Sequence, residues 1–426
     1  MGNKRFFIDD ATGQQIDYAQ LVADVQQVDR LPPVVAMSSA YTLYQHLLAA
    51  FASDARVILV DDASLVPTAE QTAAEQATAE RNDPRSAQRL TQRGGLPWSK
   101  VADANNAQTI YQWLAASDCR MGLFTSGTTG RPKLVQHSPA TLLRAVRTGP
   151  RYQAHVWGLA YHPAHFAGLQ VFFQAVCNAN PLVQLYGHDA DTQHDAIERH
   201  AITHLSGTPT LMRLLAGSGR VHARVHSITL GGEAADPILL EQLKAVFPQA
   251  KLRNVYASTE VGSLLACDGE LFRVPEQLRG LIDVMDGELV VHRSLLADSL
   301  QATVADEFYR TGDCVQVVDA QPLTFRFLSR RSDFINVGGF KVNPHEVEQR
   351  LRQMPEVLEA VVYGTANSVT GNLVSCDLVL KAEAQLTVAE LRRRLSGELA
   401  DYEIPRFVRI VADLPQTATG KRMRGL

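Results

Sequence analysis

The chain has 426 residues, of which 46% are hydrophobic and 20% are charged, and its formal net charge is -4 at pH 7. A chain of this length exceeds what one hydrophobic core usually serves, so we expect at least two domains. The near balance of charges leaves no basic footprint for nucleic acid and no polybasic run for a membrane surface. We therefore expect neither a nucleic-acid partner nor a membrane partner.

The amino-terminal residues and the cysteines predict a cytoplasmic protein. Lys4 and Arg5 lead into Asp9 and Asp10 without the apolar run of a signal peptide, and no uncharged apolar stretch reaches about 18 residues. The five cysteines show no Cys-x-x-Cys and no paired Cys/His spacing, which disfavours a zinc site or a disulfide framework. We expect free thiols in a reducing cytosol.

Short apolar runs alternate with longer amphipathic ones in the first part of the chain. The spacing of apolar residues predicts helices over 18–28 and 41–51 and strands over 33–37 and 56–60. Such alternation predicts an α/β fold in which helices cover a parallel sheet. Residues 68–98 are polar and receive no functional prediction.

A loop rich in glycine and hydroxyl residues follows the apolar run at 121–124. Glycines let backbone N–H groups approach an anion, and hydroxyl groups add donors, so this loop is predicted to hold a polyphosphate. It is not the ordinary P-loop, because Lys133 is followed by Leu134 and not by Ser or Thr. The candidate phosphate ligands are Thr125, Ser126, Gly127, Thr128, Thr129, Gly130 and Lys133.

Two later segments also end in residues that suit a nucleotide. An apolar strand at 228–230 ends in two glycines, where a bare backbone lets a flat ring lie close. Another strand delivers Ser258, Thr259 and Glu260 to its carboxyl end, where ligands bind in open α/β sheets. A carboxylate beside a polyphosphate indicates bound Mg²⁺, because it would otherwise repel the ligand.

Further motifs follow in the second half of the chain. Tyr309-Arg-Thr-Gly-Asp313 and Ser329-Arg-Arg-Ser-Asp333 precede a Pro/Gly-framed loop that presents Lys421 near the carboxyl terminus. With the phosphate loop and the Thr-Glu segment, these motifs resemble the signatures of the adenylate-forming superfamily, which includes acyl-CoA synthetases, adenylation domains and luciferases. They occur in the same order as in that family and span residues 123 to 424.

This resemblance implies a fold and a domain organisation. The expected fold is α/β, with a large N-terminal domain of βα-alternating subdomains over 1–329. Its middle part is expected to be β-rich and trimmed, because the stretch between Glu260 and Tyr309 is short for the family. A small α+β lid domain over 330–426 is expected to follow, with a hinge near Ser332.

The resemblance also implies roles for single residues. Thr259 is expected to hold the α-phosphate, Glu260 the metal, and Asp313 the ribose hydroxyls, while Lys421 is expected to bridge the reacting oxygens. The other expected nucleotide contacts are Gly231, Gly232, Glu233, Tyr256 and Arg330. The expected contacts of the acid substrate are His165, Gly207, Gly231, Ala257 and Val261.

The implied activity is ATP- and Mg²⁺-dependent conversion of a small carboxylic acid to acyl-AMP, followed by transfer of the acyl group to CoA. Loading of a carrier-protein phosphopantetheine is the alternative. A non-catalytic nucleotide sensor is less consistent, because Lys421 and Glu260 are both present. The compact chain brings the o-succinylbenzoate:CoA ligase branch to mind. No Asp or Glu stands between Tyr152 and Asp189, so we expect an acid without an α-amino group.

Overall fold

The computed structural model describes residues 4–61, 106–125 and 133–415. The chain divides into two compact units. The first comprises Met1–Gly232, Gln242–Ala266 and Arg293–Ala305, and the second comprises Glu233–Glu241, Cys267–His292 and Asp306–Leu426. The predicted domain boundary between residues 329 and 330 falls within the second unit and stays a prediction.

The described elements are numbered in chain order. The strands are β1 (Arg5–Asp9), β2 (Gln14–Asp17), β3 (Val34–Ala36), β4 (Arg56–Val60), β5 (Arg120–Thr125), β6 (Lys133–His137), β7 (Trp157–Leu159), β8 (Leu182–Gln184), β9 (His204–Gly207), β10 (Ser227–Gly231), β11 (Lys251–Ser258), β12 (Gly262–Cys267), β13 (Leu271–Arg273), β14 (Ile282–Met285), β15 (Glu288–His292), β16 (Phe308–Ala320), β17 (Leu323–Arg330), β18 (Ile335–Val337), β19 (Phe340–Val342), β20 (Val357–Asn367), β21 (Gly371–Leu380) and β22 (Phe407–Ile410). The helices are α1 (Tyr18–Gln26), α2 (Ala40–Ser53), α3 (Asn106–Ala115), α4 (Pro139–Leu143), α5 (Phe166–Cys177), α6 (Ala190–Arg199), α7 (Pro209–Gly217), α8 (Pro237–Val246), α9 (Asp298–Thr303), α10 (Pro344–Arg352) and α11 (Val388–Leu395).

Two sheets form the first unit. The larger has eight strands in the order β12-β11-β10-β9-β7-β8-β1-β2, and its neighbours from β11 to β1 run parallel. The smaller has the order β3-β4-β5-β6, with β3, β4 and β5 parallel and β6 antiparallel. Parallel neighbours joined through helices are the pattern that βα alternation predicts, so the α/β prediction is confirmed.

Side-chain caps define several helix starts in this unit. Asp17 accepts a hydrogen bond from the N–H of Gln20 at the start of α1, and Ser39 does the same for Thr42 at the start of α2. Such caps satisfy backbone donors that have no partner inside the helix. The end of α2 is set by Asp54, which takes the left-handed conformation with φ of 54°.

The second unit is rich in β-structure. Five antiparallel strands pair in the order β13-β17-β16-β15-β14, which agrees with the β-rich middle part predicted from the sequence. A second sheet has the order β19-β18-β21-β20, with β22 parallel to β21. Helix α10 begins with Pro344 in its first turn after an Asn343 cap.

Some predicted helices are too long, and the helix predicted over 18–28 ends at Gln26. The sequence predicts a helix over 139–146, whereas α4 ends at Leu143. Beyond this point Arg147 donates its N–H to the side-chain oxygen of Gln174, and the Gln174 amide donates to the Arg147 carbonyl. These tertiary hydrogen bonds to α5 replace the helical ones. Among the described residues, no helix has both the length and the apolar character needed to cross a membrane.

Aromatic side chains fill the core between α2, α5 and β1. Phe172 is fully buried, and its ring stacks on that of Tyr44 with centroids 4.2 Å apart. The rings of Phe6 and Phe173 meet the Phe172 ring edge to face, with centroids 6.3 and 5.2 Å apart. Offset and edge-on contacts of this kind add to the free energy gained by burial.

We expect Phe172→Ala to lower the free energy of unfolding by about 3 to 5 kcal/mol, because the change opens a cavity and removes these aromatic contacts. Urea titration followed by circular dichroism measures the effect. Leu214→Ala is the control, since Leu214 is 40% exposed, and it should change stability by about 0.5 kcal/mol or less. Equal losses in the two variants would contradict the assigned core.

Candidate active site

Three parallel strands of the large sheet end side by side. Leu230 of β10 pairs with Gly207 at the end of β9, and Gly231 at the end of β10 pairs with Val255 of β11. Strand β11 continues to Ser258 and is followed by Thr259 and Glu260. This carboxyl edge, formed by residues 207, 231 and 258–260, is the position at which open α/β sheets bind ligands.

Tyr161 connects two strands of the carboxyl edge. Its hydroxyl donates to the carbonyl oxygen of Gly207 at 2.8 Å and lies 3.1 Å from that of Gly231. A Cβ atom on Gly231 would lie 3.2 Å from this hydroxyl, so a side chain there would press on the bridge. Two of the predicted substrate contacts are thus brought together by a tyrosine that the sequence analysis did not identify.

His165 pairs with a carboxylate from a distant part of the chain. Its Nε2 lies 2.7 Å from Oδ1 of Asp61, which follows β4. Burial raises the pKa of Asp61, but the hydrogen bond from His165 and the neighbouring His162 outweigh it and lower that pKa. The local sequence contains no acid, but the fold brings the Asp61 carboxylate to His165. The expectation that a substrate ammonium would find no carboxylate here is therefore wrong.

Asp61, His162 and His165 each place a ligand atom within 4.8 Å of the others. The two imidazole rings are stacked, with centroids 4.2 Å apart and planes inclined by 23°, so their in-plane lone pairs do not converge on one point. His162 Nδ1 also accepts the N–H of Ala164 at 3.2 Å. This geometry favours a hydrogen-bonded cluster over a metal centre, which needs converging lone pairs.

The backbone around Glu260 is held by the segment 295–299. The N–H of Ala297 donates to the Glu260 carbonyl at 2.8 Å. Arg144 donates to the carbonyl oxygens of Val261 and Leu295 at 3.1 and 2.9 Å. A half-buried guanidinium that bonds two backbone carbonyls fixes their separation, so the Thr259–Glu260 turn has a defined position.

The same segment holds β6, the strand that returns from the predicted phosphate loop. The N–H of Ser138 donates to Asp298 Oδ2 at 2.6 Å, and that of Gln136 donates to the Ser299 hydroxyl at 3.0 Å. Thr125 and Lys133 form a facing pair of the β5-β6 hairpin that flanks the loop. Residues 295–299 therefore align the phosphate-loop hairpin with the turn that carries Glu260.

The oxygen donors at this turn suit Mg²⁺. Glu260 offers a half-buried carboxylate and Thr259 a hydroxyl, and Mg²⁺ prefers hard oxygen ligands of this kind. Tyr256 and Ala257 precede this turn in β11 and are also half-buried. Val261, 2% exposed, follows directly and contributes an apolar surface.

Some predicted residues lie elsewhere in the chain. Gly232 ends the first segment of the first unit with φ of 86°, a conformation that favours glycine, while Glu233 belongs to the second unit. Also in the second unit, Arg330 Nε donates to Oδ1 of the buried Asp313 at 3.1 Å, which brings two predicted nucleotide residues together. Ser126, Gly127, Thr128, Thr129, Gly130 and Lys421 lie outside the described residues.

His137 lies at the end of β6, beside the turn. It is fully buried, contacts Thr141 at 3.2 Å and packs on the Phe166 ring. Burial lowers the pKa of His137 to about 4, with a raising contribution from Asp298 and a lowering one from Arg144. Burial together with His165 likewise lowers the pKa of His162 to about 4.

The fold and the carboxyl edge define an α/β enzyme of the nucleotide-binding type. Residues 33–282 match the family model described as AMP-binding enzyme, and residues 346–421 match that of the AMP-binding enzyme C-terminal domain. The chain belongs to the AMP-binding enzyme family. The resemblance to adenylate-forming enzymes that the motifs indicate is thereby confirmed.

Named relatives agree with this family. The chain is 29% identical over 347 residues to human acyl-coenzyme A synthetase ACSM4, covering 71% of this chain but only 59% of that enzyme. It is 27% identical over 353 residues to 2-succinylbenzoate-CoA ligase of Listeria monocytogenes, covering 78% and 74% of the two chains.

Solved structures share the fold. The ATP-bound RpMatB-BxBclM chimera B3 superposes with a TM-score of 0.70 at 21% identity, covering 99% of this chain and 94% of the other. The o-succinylbenzoate CoA synthetase MenE of Bacillus subtilis, in complex with OSB-AMP, superposes with a TM-score of 0.67 at 20% identity and the same coverage. The predicted fold class, a large N-terminal and a smaller C-terminal part, agrees with these structures.

The buried neutral histidines predict acid sensitivity. Between pH 6.5 and about 4 the unfolded chain binds a proton at His137 that the folded chain does not, so stability falls as the pH falls through this range. From pH 7 to pH 5 this group should cost about 2 kcal/mol.

Urea unfolding of His137→Gln at pH 7 and pH 5 measures this contribution. The loss between the two pH values should be smaller in the variant by about 2 kcal/mol, even if the variant is less stable at both. Leu214→Ala, at an exposed position, removes no titratable group, so it is the control and should keep the wild-type pH dependence. An unchanged pH dependence in His137→Gln would show that His137 is not buried in its neutral form.

Proposed function

We propose that this protein is an acid-thiol ligase that uses ATP to convert a carboxylic acid to acyl-AMP and then transfers the acyl group to CoA. The observation that carries the proposal is the alignment of the phosphate-loop hairpin with the Thr259–Glu260 turn at the carboxyl edge. Membership in the AMP-binding enzyme family supports it, as do relatives named as CoA synthetases and CoA ligases.

In the first step an oxygen of the acid attacks the α-phosphorus of ATP. The bond from this phosphorus to the bridging oxygen breaks, and pyrophosphate leaves with the electron pair. The loop from Thr125 to Lys133 is proposed to bind the β- and γ-phosphates, and Thr259 the α-phosphate. These groups orient the reactants and stabilise charge, which is the main protein contribution to phosphoryl chemistry.

Mg²⁺ fits the Glu260 carboxylate and, when bound, would neutralise phosphate charge. Lys421 is proposed to place its ammonium beside the oxygens on which charge develops in the transition state. Asp313 is proposed to accept both ribose hydroxyls, since a carboxylate offers two acceptor oxygens.

In the second step the sulfur of CoA attacks the acyl carbonyl carbon of acyl-AMP. AMP leaves with the electron pair of the broken carbon–oxygen bond, and the thiol proton passes to solvent. A thioester forms, and no oxidant or reductant is needed. The named relatives favour CoA as the acceptor.

Residues near His165 are proposed to select the acid. The apolar Val261 suits a hydrocarbon or aryl group, and the Asp61 carboxylate is already engaged by His165. A substrate ammonium would have to compete with that imidazole for the same carboxylate. We therefore retain the expectation of an acid without an α-amino group, of which 2-succinylbenzoate is one candidate.

The expected substrate class is tested by ATP–pyrophosphate exchange over a panel of aryl, succinyl-aryl, fatty and α-amino acids. Exchange should occur with at least one acid that lacks an α-amino group, and that acid should give a CoA thioester detectable by mass spectrometry. Free α-amino acids should give only background exchange. Exchange with an α-amino acid and not with its deaminated analogue would overturn the substrate class.

We expect Lys421→Ala to reduce acyl-AMP formation by about 10² to 10³, because an ammonium that contacts transition-state charge has an effect of this size. Thioester formation from chemically prepared acyl-AMP should persist. Lys381→Ala, at an exposed position, is the matched control and should keep full exchange. Exchange within a few-fold of wild type in Lys421→Ala would remove this residue from the reaction.

A further inference from the structure

A buried carboxylate lies next to the turn that carries Asp313. Glu288, at the start of β15, is only 4% exposed. Its Oε1 accepts the backbone N–H of Gly312 at 2.8 Å. Its Oε2 accepts from Arg310 at 3.0 Å and from Arg331 at 2.9 Å. A carboxylate removed from water requires such partners, and Glu288 has three.

The turn itself is held at several points. Gly312 has φ of 78°, which favours glycine, and Thr311 donates its hydroxyl to the Leu289 carbonyl at 2.8 Å. The N–H of Asp313 donates back to that hydroxyl at 3.1 Å. The Gly312 carbonyl accepts the N–H of Arg331 at 2.7 Å. These bonds fix the peptide on either side of Gly312, and therefore the direction in which the Asp313 side chain leaves the backbone.

The Glu288 side chain bonds both the turn and the segment after β17. It reaches the turn through the Gly312 N–H and the later segment through Arg331. Arg330, the neighbour of Arg331, donates to Asp313. Arg330 thus bonds the Asp313 carboxylate, while Gly312 and Arg331, the chain neighbours of Asp313 and Arg330, both bond Glu288.

We infer that Glu288 is a positioning residue for nucleotide binding: it holds the Gly312 turn so that Asp313 receives the ribose hydroxyls. The inference rests on the ribose role proposed for Asp313. Glu288 does not touch the nucleotide in this account. It acts through the Gly312 N–H and through Arg310 and Arg331, which precede and follow Asp313 in the chain.

This role differs from simple stabilisation in what it affects. Loss of Glu288 should weaken the discrimination between ATP and 2′-deoxy-ATP, because only ATP presents the 2′-hydroxyl to Asp313. A general loosening of the fold would weaken the binding of both nucleotides alike. The ratio of the two dissociation constants therefore reports the position of Asp313 and cancels uniform losses.

The test is calorimetric titration of the full chain with ATP and with 2′-deoxy-ATP in the presence of Mg²⁺. The wild type should bind ATP at least about tenfold more tightly than 2′-deoxy-ATP, because the loss of one hydrogen bond to a charged acceptor weakens binding by about this factor. Glu288→Ala should reduce the ratio at least threefold, and Asp313→Ala should bring it near one. Glu288→Gln keeps an oxygen for the Gly312 N–H but turns an amide donor toward Arg310 and Arg331, so its ratio should lie between those of the wild type and Glu288→Ala.

Asp286→Asn is the matched control. Asp286 is exposed and pairs with the same Arg310 at 2.8 Å, but no bond to Gly312 involves it. Its φ of 53° also suits asparagine, so the backbone should be retained. This variant should keep the wild-type ratio. If Glu288→Ala does not fold, Glu288→Asp replaces it, since the shorter side chain keeps the charge but withdraws the oxygen from Gly312.

The inference is overturned if Glu288→Ala, or Glu288→Asp in its place, keeps the wild-type ratio, if Asp286→Asn loses it to the same extent, or if the wild type binds both nucleotides equally. Binding requires no acid substrate, so the result is independent of the reaction. A wild type that discriminates between the nucleotides but supports no pyrophosphate exchange with any acid would contradict the proposed function and leave the role of Glu288 intact.

Discussion

The parallel pairing of β9, β10 and β11 determines where this chain can form a ligand-binding site. Parallel strands end at the same edge, so three segments that are remote in sequence deliver Gly207, Gly231 and the Thr259–Glu260 turn to one place. The apolar strands buried by the fold supply the rigidity. The polar residues at their ends have only to be short or small enough to leave room for a ligand.

Rigid strands do not by themselves align the loops that follow them. In the first unit that task falls to the segment 295–299 and to Arg144, which join the Glu260 turn to β6 through backbone carbonyls, a carboxylate and a hydroxyl. In the second unit Glu288 has a comparable position beside Asp313. Arg144 bonds two backbone carbonyls, and Glu288 bonds one backbone N–H and two arginines. A bond from a buried charge to the backbone sets geometry more strictly than a contact between two mobile side chains.

Candidate ligand-binding residues can be proposed from local sequence, whereas the residues that hold them in place cannot. The Gly/Thr loop, Thr259–Glu260 and the Asp313 motif are local patterns whose chemistry is legible within a few positions. Tyr161 bonds residues 46 and 70 positions away, Arg144 bonds residues 117 and 151 positions away, and Asp298 bonds one 160 positions away. No local sequence pattern predicts hydrogen bonds between such distant residues. The helix predicted over 139–146 is too long for the same reason, because hydrogen bonds to Gln174 outweigh the local helical preference.

The pairing of His165 with Asp61 joins positions 104 residues apart and spans both sheets of the first unit. The ring can have this partner only when β4 and α5 have both docked. Its ring-proton resonances would then report complete assembly during refolding without a chemical label. For the same reason, one exchange at position 61 would alter the environment of His165 while the segment that carries the histidine stays unchanged.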